Sequence, residues 1–150
     1  MSLKASPNAG KTQAAWLTEH ETSPQEIKDL LAVVERDLSD CQTPGLSADW
    51  RLNIAYNAAL QAATAALAAS GYRAAHHYRV IQSLSLTVGA DAEMVRQLDE
   101  FRKKRNLGEY ERSGFVSEQE VKEMIDLATR LRRMVISWLR RDHPTLTPGL

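Results

Sequence analysis

The sequence predicts an all-α protein, an antiparallel up-and-down bundle of four or five helices, and three observations predict it. Apolar residues recur at three- and four-residue spacing along most of the chain. Most of these runs open on a capping residue and close on Gly or Pro. No segment alternates apolar and polar residues over a strand's length, and neither an internal repeat nor a low-complexity linker interrupts the pattern. A chain of 150 residues suits one domain built on a single hydrophobic core.

Residues 21–142 carry the bundle, between an arm over 1–20 and a tail over 143–150. The arm mixes Ser, Pro, Asn, Gly and Lys around Trp16 without a sustained period, and is expected to be flexible or to dock through Trp16. Within it, Ala5–Thr12 fits a relaxed phosphate-loop pattern. Only Met1 to Lys4 precede it, too few for the buried strand such a loop follows, so the match is read as fortuitous.

The first helix opens on Ser23-Pro24-Gln25-Glu26, a cap, a first-turn proline and an acid. Its stripe is Ile27, Leu30, Leu31, Val34, Leu38 and Cys41, with Asp29, Glu35, Asp37 and Asp40 off it, and it ends near Pro44-Gly45. Ser47-Ala48-Asp49 opens the second helix, which runs to Gly71. Its apolar side is mostly alanine, at 55, 58, 59, 62, 63, 65, 66 and 69, with Ile54, Leu60 and Leu67. Small side chains let helix axes approach closely, which makes this the central helix.

A third helix is expected after Gly71, with Ala74, His77, Ile81, Leu84 and Val88 on one face, and His77 is read as a core histidine. Gly89-Ala90-Asp91 stops it and caps a fourth, where Met94, Leu98 and Phe101 line up and Arg105 continues the same series. A full charge in a core costs too much. Arg105 is therefore placed at the bundle end or a subunit interface, facing a cleft, while Lys103 and Lys104 rotate to solvent. After Asn106-Leu107-Gly108 a loop or frayed turn is expected through Gly114. Ser117-Glu118-Gln119-Glu120 is a capping box for the fifth helix, whose stripe is Val121, Met124, Ala128, Leu131, Val135 and Trp138. The tail, with two Pro and a Gly, is expected to trail off.

Nineteen cations balance nineteen anions, so attraction to nucleic acid must come from local segregation of charge. A single cysteine rules out an internal disulfide and a thiolate pair for zinc, and suits a reducing cytoplasm. No apolar leader core and no membrane-length apolar window are present, so a soluble cytoplasmic protein without membrane contact is expected. The histidines at 20, 76, 77 and 143 are scattered, and adjacent residues on a helix point about 100° apart, so neither a metal nor another cofactor is implied. A nucleophile elbow is missing, and Cys41 sits on a helix stripe as a packed thiol.

The remaining chemistry is concentrated in Phe101-Arg102-Lys103-Lys104-Arg105-Asn106-Leu107-Gly108-Glu109-Tyr110. Cations at a helix C-terminus complement its dipole and need no other purpose. The alternative is an anion site in which Arg105 and Asn106 hold a phosphate and Tyr110 stacks or donates its hydroxyl.

The Arg105-Asn106 pair with Tyr110 five residues after the arginine resembles the motif of the HEPN family, small helical bundles of prokaryotic toxin–antitoxin, CRISPR and RNA-processing systems. Ser47 through Tyr72, with Ala55-Tyr56-Asn57-Ala58-Ala59-Leu60 and Ala69-Ser70-Gly71-Tyr72-Arg73, resembles one bacterial branch of it, as does Ala75-His76-His77-Tyr78-Arg79. The resemblance spans about residues 23 to 142. Active members carry Arg, often a polar residue, four to six residues and then His, and two copies facing across a dimer cut RNA without metal. Here Tyr110 stands in the histidine's place, and a phenol of reference pKa near 10 is a poor base at neutral pH.

The resemblance thus implies a homodimer whose Arg105, Asn106 and Tyr110 ends form a cleft for RNA or a nucleotide phosphate. Arg102, Lys103, Lys104 and Arg112 flank it as phosphate contacts. Ribonuclease activity would be metal-independent and weak or absent. The other function class is a non-catalytic interaction module whose partner is a nucleotidyltransferase-type antitoxin or another protein.

Overall fold

A computed structural model of the chain describes residues 14–111 and 116–150, without the side chains of 14 and 106–111. Along the described chain come a 3-10 turn at Ala14–Trp16, β1 at Leu17–Glu19, α1 at Pro24–Asp40 and α2 at Ala48–Ala69. They are followed by β2 at Tyr72–Ala74, α3 at His77–Gln82, α4 at Ala92–Glu111 and α5 at Glu118–Asp142. Further 3-10 turns lie at Ser83–Ser85 and Pro144–Leu146. The protein is an all-α helical bundle with one two-stranded antiparallel sheet.

Helix starts follow their sequence signals. The Ser23 hydroxyl accepts from the Glu26 N–H at 3.2 Å, and the Ser47 hydroxyl from the Trp50 N–H at 3.3 Å. Asp91 accepts from the Met94 N–H at 2.8 Å. At α5 both halves of the capping box form, with Ser117 and Glu120 each accepting the other's backbone N–H at 3.1 Å. These bonds satisfy backbone donors that the first helical turn leaves unpaired.

Helix α2 packs against every other helix, and its eight stripe alanines are all buried. Its neighbours supply the bulk. Ile27 and Val34 come from α1 and Cys41 from its C-cap, Met94 and Leu98 from α4, and Val121, Met124, Leu131 and Val135 from α5. A small-residue helix among large-residue partners lets the helix axes approach closely while the partners' side chains fill the space between them.

Five expectations need correction. Residues 17–19 do form a strand, pairing Leu17 with Ala74 and Glu19 with Tyr72, and His20 N–H extends the ladder to the Gly71 carbonyl at 2.9 Å. Gly71, at φ +91°, makes the reversal out of α2 that puts β2 beside the arm. The third helix is consequently split. Backbone after Gly71 is used by the sheet, α3 begins only at His77, and it tightens at once into the Ser83–Ser85 turn. There Ser83 and Thr87 hydroxyls bond the Val80 and Ser83 carbonyls, competing with regular helix.

His77 is exposed rather than in the core, whereas Val80, Ile81 and Leu84 are buried. Asp37 is buried, because Asn57 Nδ2 donates to it at 2.7 Å and Arg36 reaches it at 3.0 Å. The tail folds back instead of trailing off. Its Pro144–Leu146 turn brings Leu146 onto the core, Thr147 is buried, and His143 packs at 4.6 Å on the Trp138 ring. The phosphate-loop-like residues 5–12 lie outside the described residues.

Candidate functional site

The α4 stripe runs as its spacing predicts. Met94 and Leu98 are buried, Phe101 packs partly against the core, and Arg105 follows one turn later, half-buried. Its guanidinium carbon lies 5.3 Å from the centre of the Tyr56 ring on α2. Tyr56 is only 1% exposed and is among the largest fully buried side chains. Two donors meet here without a hydrogen-bond partner among the described residues, the Tyr56 hydroxyl and Arg105 Nε–H. An unpaired buried donor costs about 1–3 kcal/mol, so each such group calls for an explanation.

The other cations of the run are compensated. Arg102 Nε donates to Asp99 at 2.8 Å, and Lys103 lies 3.4 Å from the same carboxylate. Burial alone would raise the Asp99 carboxyl, but the hydrogen bonds and charges of Arg102 and Lys103 outweigh it and hold the group low. Lys103 is exposed as expected. Lys104 departs from expectation, being half-buried and paired with Glu120, the capping-box glutamate of α5. Among the described residues, Arg105 alone of residues 102–105 has no carboxylate partner.

Where a loop or frayed turn is expected after Gly108, α4 instead continues to Glu111. Five residues along a helix turn the positions of Arg105 and Tyr110 about 140° apart. No one face of α4 carries both. Asn106 and Tyr110 belong to this helical backbone, their side chains fall outside the description, and Arg112 lies outside the described residues.

Two residues join Arg105 from elsewhere in the chain. Burial pushes the Tyr56 phenol up to about 12 against the pull of Arg105 and Arg102, so it is a neutral donor at physiological pH. Partial burial, then the charges of Arg105 and Arg102, hold the His77 imidazole below its ordinary value. A neutral imidazole thus stands within the field of Arg105 and Arg102. Tyr56 has a sequence signal, as the one large polar-tipped residue in an alanine face. His77 lay on a predicted stripe, but the helix there begins only at His77, after β2, and leaves the imidazole exposed.

Among the described residues no group of three or more His, Cys, Asp or Glu could hold a metal ion. Cys41 is a packed thiol, fully buried, donating to the Leu38 carbonyl at 3.3 Å and raised by burial. No described helix is long and apolar enough to cross a membrane. A cavity of about 650 Å3 lies away from Arg102 and Arg105, between α1, α5 and the C-terminal turn. Its walls are largely apolar and its Glu35 and Arg132 neutralise each other, so it offers no comparable chemistry.

Fold and site together define an all-α bundle in which an arginine, without a carboxylate partner among the described residues, lies over a buried phenol. Compared with protein-family models, curated proteins and solved structures, the chain matches none.

Proposed function

We propose that the protein is a HEPN-like bundle that binds RNA through a backbone phosphate at Arg105, with weak or no metal-independent ribonuclease activity. The observation that carries this reading is the Arg105 guanidinium, which has no carboxylate partner and an unsatisfied Nε–H among the described residues and lies beside the likewise unsatisfied Tyr56 hydroxyl. An anion supplies acceptors for an arginine so placed, and a charge-assisted bond is worth about 1.5–3 kcal/mol. Asn106 adds a positioning contact and Arg102, Lys103, Lys104 and Arg112 add flanking charge, within a cytoplasmic homodimer that brings two Arg105 ends together. Tyr110 occupies the place of the usual acid–base group, and its phenol accounts for low activity.

Purified protein mixed with total RNA and a chelator tests this beside Arg105→Ala. The wild type is expected to bind in a salt-dependent manner, and the variant to lose tenfold or more in affinity, with a salt slope lower by about one. Undiminished binding or cleavage by Arg105→Ala refutes the site. A monomeric mass by light scattering at micromolar concentration refutes the paired cleft.

A second reading, a non-catalytic module for a protein partner such as a nucleotidyltransferase-type antitoxin, is favoured by Trp50, 63% exposed at the start of α2 near exposed Leu46. Exposed tryptophans are frequent anchors of interfaces. No RNA binding by wild type, with capture of a partner lost in Trp50→Ala, selects that reading.

A further inference from the structure

One turn before Arg105, Arg102 borders an open cavity of about 310 Å3 whose other walls are Ala75, His76, His77 and Tyr78. That is near the lower end of the roughly 300–1,000 Å3 range of small-ligand sites. Planar groups dominate it. The His76 and Tyr78 rings stack with centres 5.9 Å apart and planes 19° apart. The Arg102 guanidinium lies 5.7 Å from the centre of the Tyr78 ring, and that of Arg79 lies 4.9 Å from it. Arg79 also lies 5.3 Å from the Trp16 ring, so the docked arm braces the cluster. His76 and His77 are exposed at its mouth, while Tyr78 and Arg102 are half-buried.

We propose that this cavity receives an unpaired base of single-stranded RNA, next to the phosphate held by Arg105. The inference rests on the phosphate reading above and specifies its substrate. Aromatic rings and guanidinium planes recognise bases through stacking, which tolerates any sequence because every base has a π face. In a duplex both faces of a base are covered, so only unpaired segments fit. Asp99, by taking the Arg102 Nε–H, fixes the guanidinium beside Tyr78. Arg105 follows about 4.5 Å further along the α4 axis, which suits a ribose-phosphate leaving the cavity toward it.

The test measures anisotropy with labelled strands of about ten nucleotides, matching common single-strand site sizes. Oligouridine, an abasic ribose-phosphate strand and an RNA duplex are compared. Wild type is expected to prefer oligouridine over the other two. His76→Ala, at an exposed position, should keep the wild-type melting curve, lose about tenfold on oligouridine and lose nothing on the abasic strand. His76→Phe, which keeps a planar ring, should restore binding, and Arg105→Ala should weaken both single strands. The base subsite is overturned, with the phosphate site left standing, by equal wild-type affinity for oligouridine and the abasic strand. Equally tight duplex binding, or an unaffected His76→Ala, does the same. Failure of wild type to bind any strand removes the phosphate reading and the subsite together.

Discussion

Tyr56→Phe is a substitution whose sign follows from the site. A buried tyrosine that donates a hydrogen bond normally loses stability when its hydroxyl is removed. Here the ring is 1% exposed and its hydroxyl has no partner among the described residues, so folding strips a phenol of its water without replacement. That desolvation costs about 1–3 kcal/mol. Phenylalanine keeps the ring packing and the face offered to Arg105, and gives up one oxygen's volume, a small cavity term set against the gain. The variant is therefore expected to be more stable by about 1 kcal/mol, with a midpoint raised by about 2–4 °C. Urea unfolding at unchanged m-value measures it. If Tyr56→Phe instead destabilises the protein by about 1 kcal/mol or more, the hydroxyl has a hydrogen-bond partner in the folded state and the reasoning fails.

Three further outcomes are expected. In alkali, the unfolded phenol ionises near 10 while folded Tyr56 holds its proton to about 12. Its stabilising contribution is thus present below pH 10 and lost across that window, by roughly 2–3 kcal/mol, and the gap between wild type and Tyr56→Phe in alkaline unfolding should widen there. For His77, whose folded imidazole is held below its ordinary value of 6.5, stability is present above that pH and lost as pH falls. A bound phosphate favours the cation, so RNA affinity should rise below about pH 6.5, and His77→Gln should flatten that rise in a titration of Kd against pH. Ala62 is fully buried in the central helix, and Ala62→Leu should cost about 1–3 kcal/mol or more in urea unfolding, whereas a tolerated leucine would contradict close packing around α2.

How much of this was legible in the sequence depends on the range of the interaction. Caps and stripes are local, so Ser23, Ser47, Asp91 and Ser117 and the faces of α1, α2, α4 and α5 could be read from spacing alone. What failed was settled by partners distant in sequence. Three residues of β1 meet three of β2 across more than fifty positions, and that pairing breaks the third apolar run, turns His77 outward and seats Trp16 on Arg79. Asp37 reads only as an acid off the apolar stripe, because nothing nearby in sequence shows that Asn57 satisfies it in the interior.

The site divides along the same line. Arg105 was legible because register is a local property: three core residues at three- and four-residue intervals leave the next position facing the same way. Its compensation was not, since Asp99 lies on the same helix for Arg102 and Lys103 while Lys104 draws on Glu120 across to α5. Among the described residues, two carboxylates, Asp99 and Glu120, face three of the four cations, and Arg105 faces none. Net charge on the segment therefore says little about its affinity. The unbalanced member is also the one held over a buried phenol, where the local dielectric is low and water competes least. An anion binding there gains more from Arg105 than from any exposed lysine of the run, so Lys103→Ala should change RNA affinity far less than Arg105→Ala, although each removes one positive charge.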